Sequence, residues 1–200
     1  MNAPAPGREC GACTMCCSLL QIDELQKPEG VACVHVREGG GCGIYETRPG
    51  VCRAFYCLWM QHPAFDEGWK PNVCHFLLRQ VDAKLLVVDV DPAYPDAWRQ
   101  SPYYDQIKLW SEAVLRDGAR VMVNVGPRMF GIFPEEDLDA GLKTPGGRVS
   151  MGYFREGDLR RPYVALKDEN DVVIETIKGG LYRGMPEDPP HLRGDGKVSS

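Results

Sequence analysis

The chain has 200 residues, a net charge of −5, 44% hydrophobic and 26% charged residues, the proportions of a soluble globular protein with room for one compact domain or a small module fused to a second one. No apolar run reaches the length of a membrane span, and the greasiest stretch, Leu85-Leu86-Val87-Val88, stops at Asp89. Residues 1–75 carry six Lys/Arg against eight Asp/Glu and no basic stripe occurs anywhere, so neither nucleic acid nor a membrane is an expected partner.

Residues 1–9 read as a flexible leader with two prolines and no apolar core of a signal peptide, so a cytoplasmic location is expected. From about Ala12 to Gln26, Met15, Leu19, Ile22 and Leu25 fall on one stripe and predict a helix ended by Pro28 and Gly30. On such a helix Cys10, Cys13 and Cys17 share a face, and Cys16 points about 100° away from Cys17. Residues 31–44 predict a short strand through Val31, Val34 and Val36 and a glycine loop, Gly39-Gly40-Gly41, that gives Cys42 room. Ile44 to Cys57 predicts a turn and a short helix around Pro49, and residues 58–74 an irregular linker that packs through Trp59, Phe65 and Trp69.

Beyond residue 75 the pattern turns to strands. Phe76–Val81 and Leu85–Val90 predict a hairpin, and Ser101-Pro102 opens a helix whose Tyr103, Ile107, Trp110 and Val114 line one face up to Gly118. Val121, Val123 and Val125 alternate as a strand, Gly126-Pro127 turns, and Met129–Phe133 returns. Tyr163–Lys167 and Val172–Lys178 predict a further hairpin, and from Gly184 prolines, glycines and charges predict a disordered tail. The expected architecture is α+β: a cysteine-rich, metal-bound N-terminal module (1–75) packed on a small, mostly antiparallel sheet with one main helix (76–183), then the tail (184–200).

All nine cysteines lie in residues 1–75: Cys10, Cys13, Cys16, Cys17, Cys33, Cys42, Cys52, Cys57 and Cys74. Their odd number, the missing export signal and the strain of pairing adjacent Cys16 and Cys17 argue against a disulfide scaffold. Soft thiolates suit zinc or iron, and Cys-x2-Cys spacing lets one turn present two sulfurs to one ion. Cys10-x2-Cys13-x2-Cys16 is also the spacing that opens ferredoxin cluster ligation, but Cys17 follows at once where that pattern has a cysteine three residues on. Zinc and iron, and one centre or two, therefore stay open. The first eight cysteines are the expected metal ligands, with Arg48 and Arg53 placed to offset thiolate charge. Cys74 reads as a buried small hydrophobe.

At these residues the chain resembles the YkgJ-like cysteine-cluster proteins. The likeness rests on Cys-x2-Cys-x2-Cys-Cys at 10–17, Cys33, Cys42-Gly43-Ile44-Tyr45, Arg48-Pro49 and Cys52-Arg53-Ala54-Phe55-Tyr56-Cys57, and covers residues 8–60. The resemblance implies a zinc- or iron-chelating domain with Cys10, Cys13, Cys16, Cys17, Cys33, Cys42, Cys52 and Cys57 as ligands. The same domain occurs in flagellin lysine N-methylases, which implies as alternatives an iron–sulfur-dependent enzyme or a redox protein. His35 and His75 border cysteines but read as structural, because eight thiols complete the sites; His62 and His191 have no supporting context. No phosphate loop, Gly-x-Ser-x-Gly elbow or His-Glu-x-x-His motif is present.

Overall fold

A computed structural model describes residues 3–115, 118–144 and 146–183, without the side chains of 114 and 115. The expected tail, 184–200, and the side chain of Val114 lie outside the described residues.

The chain is α+β, as expected, but its strands form two sheets. Strands β1 (Phe76–Asp82), β2 (Leu85–Val90), β3 (Arg120–Val125), β4 (Arg128–Ile132) and β5 (Asp137–Leu142) lie side by side in that order. All neighbours are antiparallel except β2 and β3. That pair is parallel because the long helix, Tyr103–Leu115, carries the chain across the sheet between them. The second sheet is β6 (Arg148–Glu156), β7 (Leu159–Lys167) and β8 (Val173–Lys178), with β9 (Tyr182–Arg183) on the first residues of β7.

Period-two alternation sorts the strand side chains into two cores. Phe76, Leu78, Val88, Val121 and Val123 face the long helix and its Ile107, with Trp98 fully enclosed between them. Val87, Met122, Met129 and Leu138 face the other way, onto Met151, Val164 and Leu166 of the second sheet. Asp89 and Asn124, register partners on β2 and β3, are buried on that face; Asn124 Nδ2 donates to Asp89 Oδ1 at 2.8 Å and Arg79 Nε donates to Asp89 Oδ2 at 2.5 Å. Among the described residues no helix is long and apolar enough to cross a membrane.

The N-terminal third contains only short helices. The expected helix over Ala12–Gln26 shrinks to α1 (Met15–Leu19), because Leu20 turns extended and residues 22–27 fold into a tight loop with Ile22 bridged to Lys27. The apolar stripe is kept without the helix: Met15, Leu19 and Ile22 are all buried. Cys10 and Cys13 precede α1 in a turn closed by Cys13 N–H to Cys10 O (2.9 Å), so Cys10, Cys13 and Cys17 do not share a helical face. The strand expected at Val31–Val36 is also absent. Val31 and Val34 are exposed, and the one pairing there is an isolated bridge between Val36 and Cys42.

The expected short helix near Pro49 is α2 (Gly50–Ala54), and Glu24 accepts from the N–H groups of Gly50 (3.0 Å) and Val51 (2.9 Å) at its start. Residues 58–74 pack as expected but form α3 (Leu58–Gln61) and α4 (Pro71–Cys74) around a 3₁₀ turn. Trp69 sits 5.4 Å from both Phe65 and Trp110, joining this segment to the long helix.

Candidate metal centre

Four of the eight expected ligands share one cavity; of the other four, Cys17 interacts with Cys10, Cys13 and Cys16 as well as with Cys52. Cys10, Cys13, Cys16 and Cys57 line one small cavity of about 30 Å³, together with Met15, Phe55, Trp59, Met60 and Leu77. The same four pack in the apolar cluster of Met15, Leu19, Trp59, Met60 and Leu77. Leu77 belongs to β1 and is 1% exposed, so this set is closed against the first sheet.

Each inner sulfur is placed by a local feature of the chain. Cys13 leads into α1 and its Sγ accepts from the N–H groups of Met15 and Asn72, the latter in α4. Cys57 is the N-terminal cap residue of α3 and makes no side-chain cap hydrogen bond, although the nearby N–H groups of Met60 and Trp59 oppose the rise of its thiol. Burial pushes the Cys57 thiol up to about 11 and raises Cys10 and Cys13 as well, with Tyr45 and Arg48 opposing the rise at Cys10.

The outer set is Cys17, Cys33, Cys42 and Cys52. The N–H of Cys33 donates to the carbonyl of Cys17 (3.0 Å), and Val36 carries the bridge to Cys42. Cys52 rides on α2; burial raises its thiol first, and the nearby Cys17, Cys33 and Cys42 raise it further. Gly39, Gly40 and Gly41 all have positive φ, and a side chain at Gly40 would sit 2.5 Å from the carbonyl oxygen of Ala12. Only a run of glycines lets this loop reach the 10–13 turn, where Gly41 N–H donates to Ala12 O at 3.1 Å.

Adjacent Cys16 and Cys17 stand at the boundary between the sets. Cys16 donates its thiol hydrogen to Cys17, which raises Cys16 and lowers Cys17; Lys27 and Arg48 lower Cys17 further. Lys27, which the sequence reading passed over, is buried, and its ammonium donates to Pro28 O (3.0 Å) and Leu20 O. Nothing in the local pattern marks it, because a lone lysine before Pro28 looks like any solvated residue. Arg48 lies 3.8 Å over the Tyr45 ring and donates to Tyr45 O (2.6 Å) and Cys52 O (3.4 Å), whereas Arg53 is exposed.

All nine cysteines are free. Cys74 is 2% exposed in the main core, with its Sγ 3.1 Å from Phe76 O and 3.5 Å from Trp69 O, and burial pushes its thiol up to about 12. His75 stacks on Tyr94 at 3.7 Å, and His35 gives its carbonyl to Gly43 N–H at 2.7 Å. Among the described residues no three His, Cys, Asp or Glu side chains converge closely enough to hold a metal ion as they stand. The donor chemistry fits zinc or iron: soft sulfur in sets of four, with Arg48 and Lys27 beside it.

No family model, no curated protein and no solved structure matches this chain.

Proposed function

We propose that the protein binds zinc or iron through two four-thiolate centres, an inner one of Cys10, Cys13, Cys16 and Cys57 and an outer one of Cys17, Cys33, Cys42 and Cys52. The observation that carries this reading is that Cys57, more than forty residues on, joins Cys10, Cys13 and Cys16 of one short segment around one small cavity. Each four-thiolate centre around a divalent ion has a formal charge of about −2, which Lys27, Arg48 and the N–H groups aimed at Cys13 and Cys57 offset.

The likeness to the YkgJ-like cysteine-cluster proteins agrees with this reading, and so does a reducing, cytoplasmic setting in which nine thiols stay free. When bound, the metal supplies cross-links between segments with too few apolar residues to hold one another. The protein's own residues fix which sulfurs meet, pack Met15, Trp59, Met60 and Leu77 against the inner set and offset its charge.

Elemental analysis with a visible spectrum on anaerobically purified protein tests the proposal. Stoichiometric metal on a colourless protein supports single zinc ions; brown protein that bleaches on reduction supports the iron–sulfur alternative of a methylase-like or redox protein. Protein free of both metals would overturn the reading.

A further inference from the structure

We propose that the open cleft where the two sheets meet the N-terminal third binds a small organic anion, its charged head between Lys143, Arg148 and Lys167 and its apolar body on Met129, Val149 and Leu166. The cleft has a volume of about 490 Å³, within the range of small-molecule sites. Among the described residues no cysteine lines it, so this inference stands apart from the metal reading above.

Strand register brings the cations together. Arg148 opens β6 and Lys167 closes β7, and the two are direct partners in the antiparallel pair. Their side chains therefore leave the sheet on the same face, about 5 Å apart at Cβ. Gly147 holds this start of β6 hard against β7, because a β-carbon there would sit 2.7 Å from Lys167 O. Like charges directly opposite one another destabilise a sheet unless negative charge lies beside them. Lys167 has such a partner in Asp171, with Nζ to Oδ2 at 3.0 Å. Arg148 is exposed and makes no ion pair among the described residues.

Lys143 enters from the other sheet, one residue past β5, and pairs with Glu29 of the N-terminal third. Among the described residues Glu29 is the one carboxylate on the lining, against three cations. In a chain of net charge −5 the cleft is thus a local excess of positive charge.

The floor decides the kind of anion. Met129 and Leu166 are buried members of the core between the sheets and Val149 packs against it, so the cleft opens on the end of an apolar layer. An inorganic anion meets the cations but leaves this floor wet, whereas an anionic head on an apolar body covers both. Arg148 offers a planar fork to a carboxylate or phosphate, and the lysines add point charges beside it.

Isothermal titration calorimetry tests this on the full chain with its native metal content, at low ionic strength. The probes are 3-phenylpropionate, phenyl phosphate, inorganic phosphate and phenol. We expect the better of the two organic anions to bind once per chain and about tenfold tighter than inorganic phosphate or phenol, and its head group assigns carboxylate or phosphate. Arg148→Gln is expected to weaken it about tenfold and to leave the urea midpoint unchanged or raised, because the like-charge pair with Lys167 is gone. Lys143→Gln is expected to weaken it as well, and Arg183→Gln, on β9 and outside the cleft, to change nothing. No saturable binding of either organic anion up to about 10 mM would overturn the inference. So would inorganic phosphate binding as tightly as they do, or equal affinity in Arg148→Gln, Lys143→Gln and the unchanged chain.

Discussion

The backbone N–H of Cys33 donates to the carbonyl oxygen of Cys17 at 3.0 Å, joining two cysteines sixteen residues apart. With Cys16 held in the apolar cluster and Cys17 tied to the Cys33 loop, the two adjacent cysteines serve different neighbourhoods. Residues 8–57 contain little regular structure, and short turns and backbone hydrogen bonds such as this one link their loops.

Cys57 and Cys74 are both buried, but only Cys57 lines the cavity shared with Cys10, Cys13 and Cys16. We expect Cys57→Ser to lose about one of two metal equivalents and Cys74→Ser to keep both, by elemental analysis of the purified variants. Equal loss in the two variants would place Cys74 among the ligands.

Leu77 is the contact through which the sheet closes the inner set. Leu77→Ala leaves a cavity beneath Trp59 and Met60, and the expected cost is about 2–5 kcal/mol of stability, measured by urea unfolding of the metal-loaded chain. A cost below about 0.5 kcal/mol, the size of an ordinary surface change, would mean that β1 does not support the module.

Gly40 has φ +100 and no space for a side chain beside Ala12 O. Gly40→Ala is expected to cost about 1–3 kcal/mol from backbone strain alone and to push the Cys42 loop off the 10–13 turn. Zinc titration should then show weaker binding of one equivalent and an unchanged second one. Uniform weakening of both would contradict the separation of the two sets.

Much of this was legible in the sequence, and the failures have physical causes. The hairpin at Phe76–Val90, the helix through Tyr103, Ile107 and Trp110, and the strand Val121–Val125 are long enough for their period to survive, and all three are present. The cysteine spacing marks the ligand candidates, but which sulfurs neighbour which depends on loops with no period. Met15, Leu19 and Ile22 mimic a helical stripe because a five-residue helix followed by a tight loop also turns them to one side. β6 was missed although Val149, Met151 and Tyr153 alternate, because Gly152 and the flanking arginines weaken the pattern. β5 carries two buried side chains, Leu138 and Ala140, interrupted by Asp137, Asp139 and Gly141, too faint a signal to read.

The Cys74 thiol, raised from 9.0 to about 12 by burial, makes stability depend on pH. The fold holds this proton more tightly than the unfolded chain does, so its contribution is complete below pH 9 and is lost as pH rises toward 12. Between those values the slope is at most about 1.4 kcal/mol per pH unit. We expect Cys74→Ala to flatten the fall in urea midpoint of the metal-loaded protein between pH 9 and 10.5; an unchanged slope would assign it to other groups.

Mass spectrometry of the anaerobically isolated chain, under native and then denaturing conditions, tests the central claim most directly. The account expects a native mass heavier by two metal ions and a denatured mass with all nine thiols reduced. A native mass equal to that of the bare chain, or a denatured mass lighter by two hydrogens for each sulfur–sulfur pair, would contradict it.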